Sequence, residues 1–572
     1  LSTDLSREPR FSVSPTVYNT AQIIGVDIGP NDTSVQFWEH GAIMGSVGFP
    51  RPGLENFPSS FAAIQGVVTP YEEYKRGDGH TLWMPAFNTF TYSHDQDSYG
   101  WSNVTSEFGS KKGLTAPGAL YSAPINHSWP LDAPLVLKLD HKQPAYPSRP
   151  HETEWSKYVS ITSPKLSAFW GRPVNVSAWV LLPAGFDSHT HARYPLILNA
   201  GHYSHQRMRG WSEQPPATVT LPEPLQGDPD DCYYCSSGGG SCPDCAFHDD
   251  FKQMYAYHFY SNWTSLDKSS AFHRNRVLLV RIQTPNPFFD DSYSVNSDNL
   301  GPYGDAITYE LLPEIEKRYR GLGAWARGTY GGSTGGWEAI AAQVLYPKEY
   351  NGCIACAADP IDFRALSPGV DIYAKNARAF QGASAMSTQV TGYARTFKGE
   401  VLASLADGWK LEQALGGWRS GGQLSIWMAV YGPKGDDGLP LPLWDADGLI
   451  DPKVAAYWAK LDLSKVLVKE WPKSSEDLIG KIKVFTGAMD AYYLNLAAYR
   501  MEERVRKLEP QAEAEFRYGG SNGRGYSHAW KGDNTTSAEV GDLTMHERFI
   551  PMLVRGFVDR APKGADVSSW RY

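Results

Sequence analysis

A chain of 572 residues exceeds one ordinary domain, and 42% apolar content is enough for a large core. A formal charge of −9 without long like-charge runs leaves no basic footprint for nucleic acid. No segment approaches the roughly 18 unbroken apolar residues of a membrane-spanning helix. Aromatic residues make up 13%, with 19 Trp and 32 Tyr, which fits a tightly packed core or stacking surfaces for sugar and aryl groups.

Residues 1–155 hold short alternating runs, at 34–38, 61–68 and 135–139, broken by Gly and Pro. They predict an all-β accessory domain of the sandwich type, leaving through a Pro-rich linker at 143–150. Residues 156–572 read differently. Apolar β-rich runs alternate there with helical ones, the signature of a mostly parallel sheet covered by helices. Strands are expected at 174–182, 194–200, 276–283, 325–330, 350–358, 481–486 and 514–518, and helices at 305–319, 337–345, 494–508 and 543–558. Two insertions interrupt the rhythm: 204–273, which carries four cysteines, and 362–476, a helical, Trp- and Gly-rich lid. Insertions of that length beside strand ends usually shape a site.

The most informative stretch is Gly331-Gly332-Ser333-Thr334-Gly335, a G-x-S-x-G between an expected strand and an expected helix. A nucleophilic Ser needs a strained turn that lifts its hydroxyl out of the sheet, and small neighbours two residues away on each side permit it. The same turn presents the Thr334 amide at a helix N-terminus, where it can hold a developing oxyanion. The acid and the His should follow in that order, each beyond a strand end. Asp490 ends a strand and Gly turn, and His528 lies in a Gly-rich loop after the last strand. Asp359, beyond the strand at 350–358, is the competing acid, and His546 the weaker alternative base. A second oxyanion amide is expected in the loop after 194–200, at His202 or Tyr203. This constellation needs no cofactor and no metal.

Six N-x-S/T sequons stand at Asn31, Asn103, Asn126, Asn175, Asn262 and Asn534. Cys232, Cys235, Cys242 and Cys245 cluster with only six residues between the two pairs, closer than zinc ribbons place theirs, so disulfides are expected ahead of a zinc site. A chain starting at Leu1 is consistent with a leader already removed or a trimmed terminus. Together these marks predict a secreted or periplasmic glycoprotein.

Several stretches in order resemble the esterase D-like family of α/β-hydrolases, which includes feruloyl and acetylxylan esterases, formylglutathione hydrolases and mycolyltransferases. They are the Leu-Leu-Pro-Ala-Gly-Phe-Asp run ending at Asp187, residues 194–201, Asp291-Ser-Tyr-Ser-Val-Asn-Ser, Gly301-Pro-Tyr-Gly-Asp305, residues 310–319, the elbow, residues 346–350, Gly487-Ala-Met-Asp490 and Ser527-His528-Ala-Trp530. The resemblance covers about 158–360 and 481–530. It departs where the family's His-Gly before the oxyanion loop is Ala200-Gly201 and where both insertions exceed the family core. It implies an α/β-hydrolase fold, a Ser333–Asp490–His528 triad and an acyl ester substrate, small or carbohydrate-linked. An acyltransferase, a serine peptidase or a non-catalytic binding protein on the same scaffold are the alternatives.

Overall fold

The computed structural model describes residues 1–5, 8–13, 20–29, 31–35, 46–52, 54, 57, 60–85, 114, 118–143, 152–201, 208, 210–215, 247–289, 291–381, 390–396, 398–520, 528, 530–532 and 538–572, with only the backbone given for 247–253 and 538–544. An eight-stranded sheet organises the chain. Its strands are β1 (Ser156–Thr162), β2 (Asn175–Leu181), β3 (Leu196–Ala200), β4 (Leu278–Gln283), β5 (Arg327–Gly332), β6 (Cys353–Cys356), β7 (Ile482–Thr486) and β8 (Glu515–Tyr518). Spatial order is β1-β2-β4-β3-β5-β6-β7-β8. β2 runs antiparallel to both β1 and β4, and every pair from β4 to β8 is parallel.

Strands covered on both faces should read as continuous apolar runs, and the central ones do. Leu196, Ile197 and Leu198 on β3 and all four residues of β6 are buried. Arg327 at the start of β5 and Arg281 on β4 are exceptions, each at 3% exposure, and Arg281 donates to Asn199 Oδ1. The Arg327 guanidinium forks onto Glu316 at 2.9 and 3.0 Å and reaches Glu349 at 3.1 Å, so the buried charge is paired and the strand survives it.

The helices that matter for the site are α1 (Thr334–Leu345), α2 (Leu405–Ala414), α3 (Gln423–Tyr431), α4 (Leu463–Leu478), α5 (Leu494–Val505) and α6 (Ala538–Asp559). α1 packs on β3, β5 and β6 and on α4 of the insertion. Nearly all its residues are buried, as expected of a helix covered all round. Residues 362–476 supply α2, α3, a further helix Pro452–Trp458, most of α4 and the antiparallel pair Gly392–Arg395 with Val401–Ser404.

The described part of residues 1–143 forms four small antiparallel sheets, such as Phe61–Ile64 with Ile125–Ser128 and Glu72–Lys75 with Thr81–Met84. The run at 135–139 forms no strand, and that at 34–38 falls partly outside the described residues. Leu135 and Leu137 nevertheless pack on the Ala62, Ile64 and Trp129 cluster, with Val136 pointing outward at 73% exposure. Tyr74, Leu82 and Met84 enter the same apolar cluster as the main sheet. Phe49 packs with Leu411 and Ala414 of α2. The N-terminal segment therefore shares its apolar surface with the α/β unit and with the insertion.

Candidate active site

The turn from β5 into α1 places Ser333 at φ 57°, ψ −127°, a region that non-glycine residues occupy only when their surroundings enforce it. The surroundings are the end of β3. A Cβ on Gly331 would stand 2.5 Å from the Ala200 carbonyl oxygen, and one on Gly335 would stand 2.3 Å from it. Any larger residue at either position would push the elbow off β3. The Ser333 amide donates to Cys356 O at 2.9 Å, and the Ser333 carbonyl accepts from Gly336, Trp337 and Asp359, which locks the turn from both sides. Thr334 opens the helix and is buried.

Asp490 follows β7 and is fully buried. Its Oδ1 accepts from the Tyr492 and Leu494 amides at 2.8 and 3.2 Å, and its Oδ2 meets His528 Nδ1 at 2.8 Å. Burial alone would push this carboxyl up, but the interaction with neighbouring His528 and those hydrogen bonds outweigh it and hold it below its ordinary range. The His528 ring stands edge-on to Tyr492, 5.0 Å between centroids at 87°, and Lys531 Nζ donates to the His528 carbonyl at 3.1 Å. The insertion reaches the acid too, since Arg395 Nε donates to the Asp490 carbonyl at 2.9 Å. The imidazole is thus held by Asp490 and not by Asp359. His546 is a core residue: fully buried on α6, stacked on Phe259 at 4.4 Å and bonded to the Tyr330 hydroxyl.

His202, Tyr203 and the four clustered cysteines lie outside the described residues. Cys353 and Cys356 are buried on β6 as thiols outside any disulfide. Gly201, at the mouth of the oxyanion loop, is described. Its amide donates to Glu338 of α1, which also hydrogen-bonds Asp291 and accepts from Ser294 Oγ at 2.8 Å. Burial raises the Glu338 carboxyl above its ordinary range, against the hydrogen bonds from Asp291, Ser294 and the Gly201 amide. Arg281 lies beside it and donates to Asn199 Oδ1 at 2.9 Å. One side chain on the nucleophile's own helix therefore ties down the end of β3.

No protein-family model and no curated protein matches the chain. Among solved structures it is similar to a ferulic acid esterase, at 14% identity and TM-score 0.34 over 70% of this chain and 99% of that one. An S-formylglutathione hydrolase from Agrobacterium tumefaciens matches at 10% identity and TM-score 0.33, over 71% and 98%. A carboxyl esterase from the fungus Tuber melanosporum matches at 12% identity and TM-score 0.32, over 70% and 89%. These neighbours are of the kinds named in the sequence resemblance. The sheet itself is decisive: eight strands in the order 1-2-4-3-5-6-7-8, strand 2 antiparallel, and a strained Ser turn after strand 5. The fold is an α/β-hydrolase fold.

Within this fold the insertion contributes something that no motif announced. Asp359, just past β6, is 4% exposed. Its Oδ2 accepts from the Tyr293 hydroxyl at 2.7 Å, Thr334 Oγ1 at 2.9 Å, Gln423 Nε2 at 3.2 Å and Trp427 Nε1 at 3.4 Å. Its Oδ1 accepts from the Ser333 hydroxyl at 3.4 Å. Burial raises this carboxyl despite the donors and the nearby His528. Gln423 and Trp427 belong to α3 of the insertion, and both also bond the Tyr293 hydroxyl. Tyr293 and Ser294 carry positive φ values of 58° and 53°, which aim the phenol under the elbow. The pentad Ser333, Asp359, Tyr293, Gln423 and Trp427 joins segments up to 134 residues apart, so no local pattern could have found it.

Proposed function

We propose that this chain is a serine hydrolase of carboxylic esters, working through an acyl-enzyme on Ser333. What supports this most is the pairing of a strained Ser at the strand-5 elbow with a buried Asp490–His528 couple at 2.8 Å after strands 7 and 8. In this reading the His528 ring nitrogen remote from Asp490 takes the Ser333 proton as Oγ attacks the ester carbon, then returns it to the leaving alcohol. Asp490 fixes the tautomer and stabilises the imidazolium. The Thr334 amide, with one from the loop after Gly201 at His202 or Tyr203, holds the oxyanion. Water deacylates the enzyme by the same route in reverse.

The alcohol is a carbohydrate or aryl alcohol in this proposal, in keeping with the aromatic-rich insertions. In this proposal the protein works outside the cytoplasm, a reading in keeping with the exposure of Asn31, Asn126 and Asn175 among the sequons, whereas Asn262 is engaged with Glu547 at 2.7 Å. No helix among the described residues is long and apolar enough to cross a membrane. A fluorophosphonate should label the protein at Ser333 and leave Ser333→Ala unlabelled. Turnover of acetyl, feruloyl and nitrophenyl esters, with and without competing alcohols, separates hydrolysis from acyl transfer, and a peptide amide panel addresses the peptidase alternative. Unlabelled wild-type protein that cleaves no ester would leave only the binding-protein reading.

A further inference from the structure

The two oxygens of Asp359 are treated very differently. Four donors converge on Oδ2, from Tyr293, Thr334, Gln423 and Trp427. Among the described residues Oδ1 has one donor, the Ser333 hydroxyl at 3.4 Å. The residue is 4% exposed. Among the described residues, this acceptor is satisfied only while Ser333 keeps its proton.

Acylation removes that proton. As the bond from Ser333 Oγ to the acyl carbon forms, the hydroxyl proton passes to His528 and then to the alcohol, whose bond to the acyl carbon breaks. The acyl-enzyme therefore places an ester oxygen, which has nothing to donate, against a buried Oδ1 that has lost its donor. A negatively charged oxygen also faces an intermediate that gains negative charge, and both effects oppose the reaction unless the substrate answers them.

We infer that Asp359 Oδ1 selects the acyl group, and that the preferred acyl group carries a hydroxyl or ammonium donor on the first or second carbon beyond its carbonyl. This deepens the proposed function and rests on Ser333 being the nucleophile. A donor at that distance replaces the lost Ser333 hydrogen bond at the moment it is lost, so the gain falls on the transition state and the acyl-enzyme. Plain acetyl and alkyl acyl groups forgo it, and acyl groups bearing a carboxylate are repelled. Sites built around a substrate hydrogen bond discriminate strongly against analogues that lack it, because the site's own polar group is left unpaired.

Aryl esters of acetic, glycolic and aminoacetic acid with one common leaving group test this, each kcat/KM being divided by that ester's own hydroxide-catalysed rate. The expected result for the wild-type protein is a normalised preference of roughly 10–100-fold for glycolate, aminoacetate or both over acetate. The glycolate and aminoacetate arms separate a hydroxyl from an ammonium donor. In Asp359→Asn the amide oxygen stays on the four donors, which forces the NH2 into the place of Oδ1, and the preference should collapse to within about threefold. A flat normalised series in the wild-type protein, or a preference that survives Asp359→Asn, overturns the inference. Ser333→Ala separates the two layers. A dead Ser333→Ala alongside a flat wild-type series refutes the acyl selection alone. An active Ser333→Ala, or no ester turned over by the wild-type protein, refutes the reading beneath it.

Discussion

Replacing Asp490 by Asn tests the acid assignment, and the structure dictates how the amide must sit. Oδ1 of Asp490 accepts from two backbone amides, Tyr492 at 2.8 Å and Leu494 at 3.2 Å, while Oδ2 faces His528 Nδ1. An Asn keeps its oxygen on the two amides and turns its NH2 towards the imidazole. His528 must then present an unprotonated Nδ1, so its other nitrogen carries the proton and cannot accept one from Ser333. Flipping the Asn to rescue the tautomer sacrifices two buried hydrogen bonds, at about 1–3 kcal/mol each. The productive arrangement therefore falls by roughly thirtyfold to twenty-five-thousandfold at 1.36 kcal/mol per decade. The upper end meets the ~10⁴ loss in the serine-protease example given for an orienting Asp. Steady-state kcat on an aryl ester, with circular dichroism to confirm an intact fold, measures this. Asp359→Asn leaves the Asp490–His528 pair in place and should keep a higher kcat than Asp490→Asn on the same ester. A folded Asp490→Asn protein within threefold of wild-type kcat, with Asp359→Asn collapsed, would reverse the assignment.

Gly335→Ala would drive a methyl to 2.3 Å from the Ala200 oxygen and 2.7 Å from Gly201 Cα, all backbone that cannot move aside. It should lower the unfolding free energy by about 1–3 kcal/mol or more in urea titration and cut kcat with it, and an unshifted midpoint would contradict the elbow geometry. Glu338→Gln keeps an acceptor oxygen for the Gly201 amide and should hold kcat within a few-fold, whereas Glu338→Leu frees that amide and should cost roughly 10–100-fold in kcat with little change in KM. Equal losses in both variants would reduce Glu338 to a packing residue. Asp490 is held below its ordinary value of 3.8, so the folded protein protonates it later than the unfolded chain does. Its stabilisation is full above that pH and lost as pH falls through the folded value. The stability gap between wild type and Asp490→Asn should accordingly narrow below about pH 4 in denaturant titrations, and a gap that widens there gives the opposite sign. Thiol titration in denaturant should find two reactive cysteines before reduction, Cys353 and Cys356, and all six afterwards. Four additional thiols before reduction, or a bound zinc, would dismiss the disulfide proposal for the 232–245 cluster.

What could be read in the sequence is what short-range chemistry imposes. G-x-S-x-G announces the elbow because its two small residues are a five-residue pattern, although the backbone they make room for, Ala200 and Gly201, lies at the end of β3. Asp490 was legible because it follows a mostly buried strand and a Gly turn, and His528 because it lies in a Gly-rich loop after the last strand. β1 escaped notice because an edge strand is half-exposed and its alternation is imperfect, as Ser156–Thr162 shows. Choosing between Asp490 and Asp359 needed the tertiary structure, since both follow strands and only their partners differ. The ring of donors on Asp359 joins Tyr293, Thr334, Gln423 and Trp427, contacts closed across 25 to 68 residues of sequence. Likewise, Tyr74, Leu82 and Met84 lie in a segment with its own β pattern, yet bury their side chains in the main core. Periodicity reports which face of an element is apolar, but not which distant surface will cover it. That depends on how the whole sheet, its insertion and its N-terminal segment exclude water together.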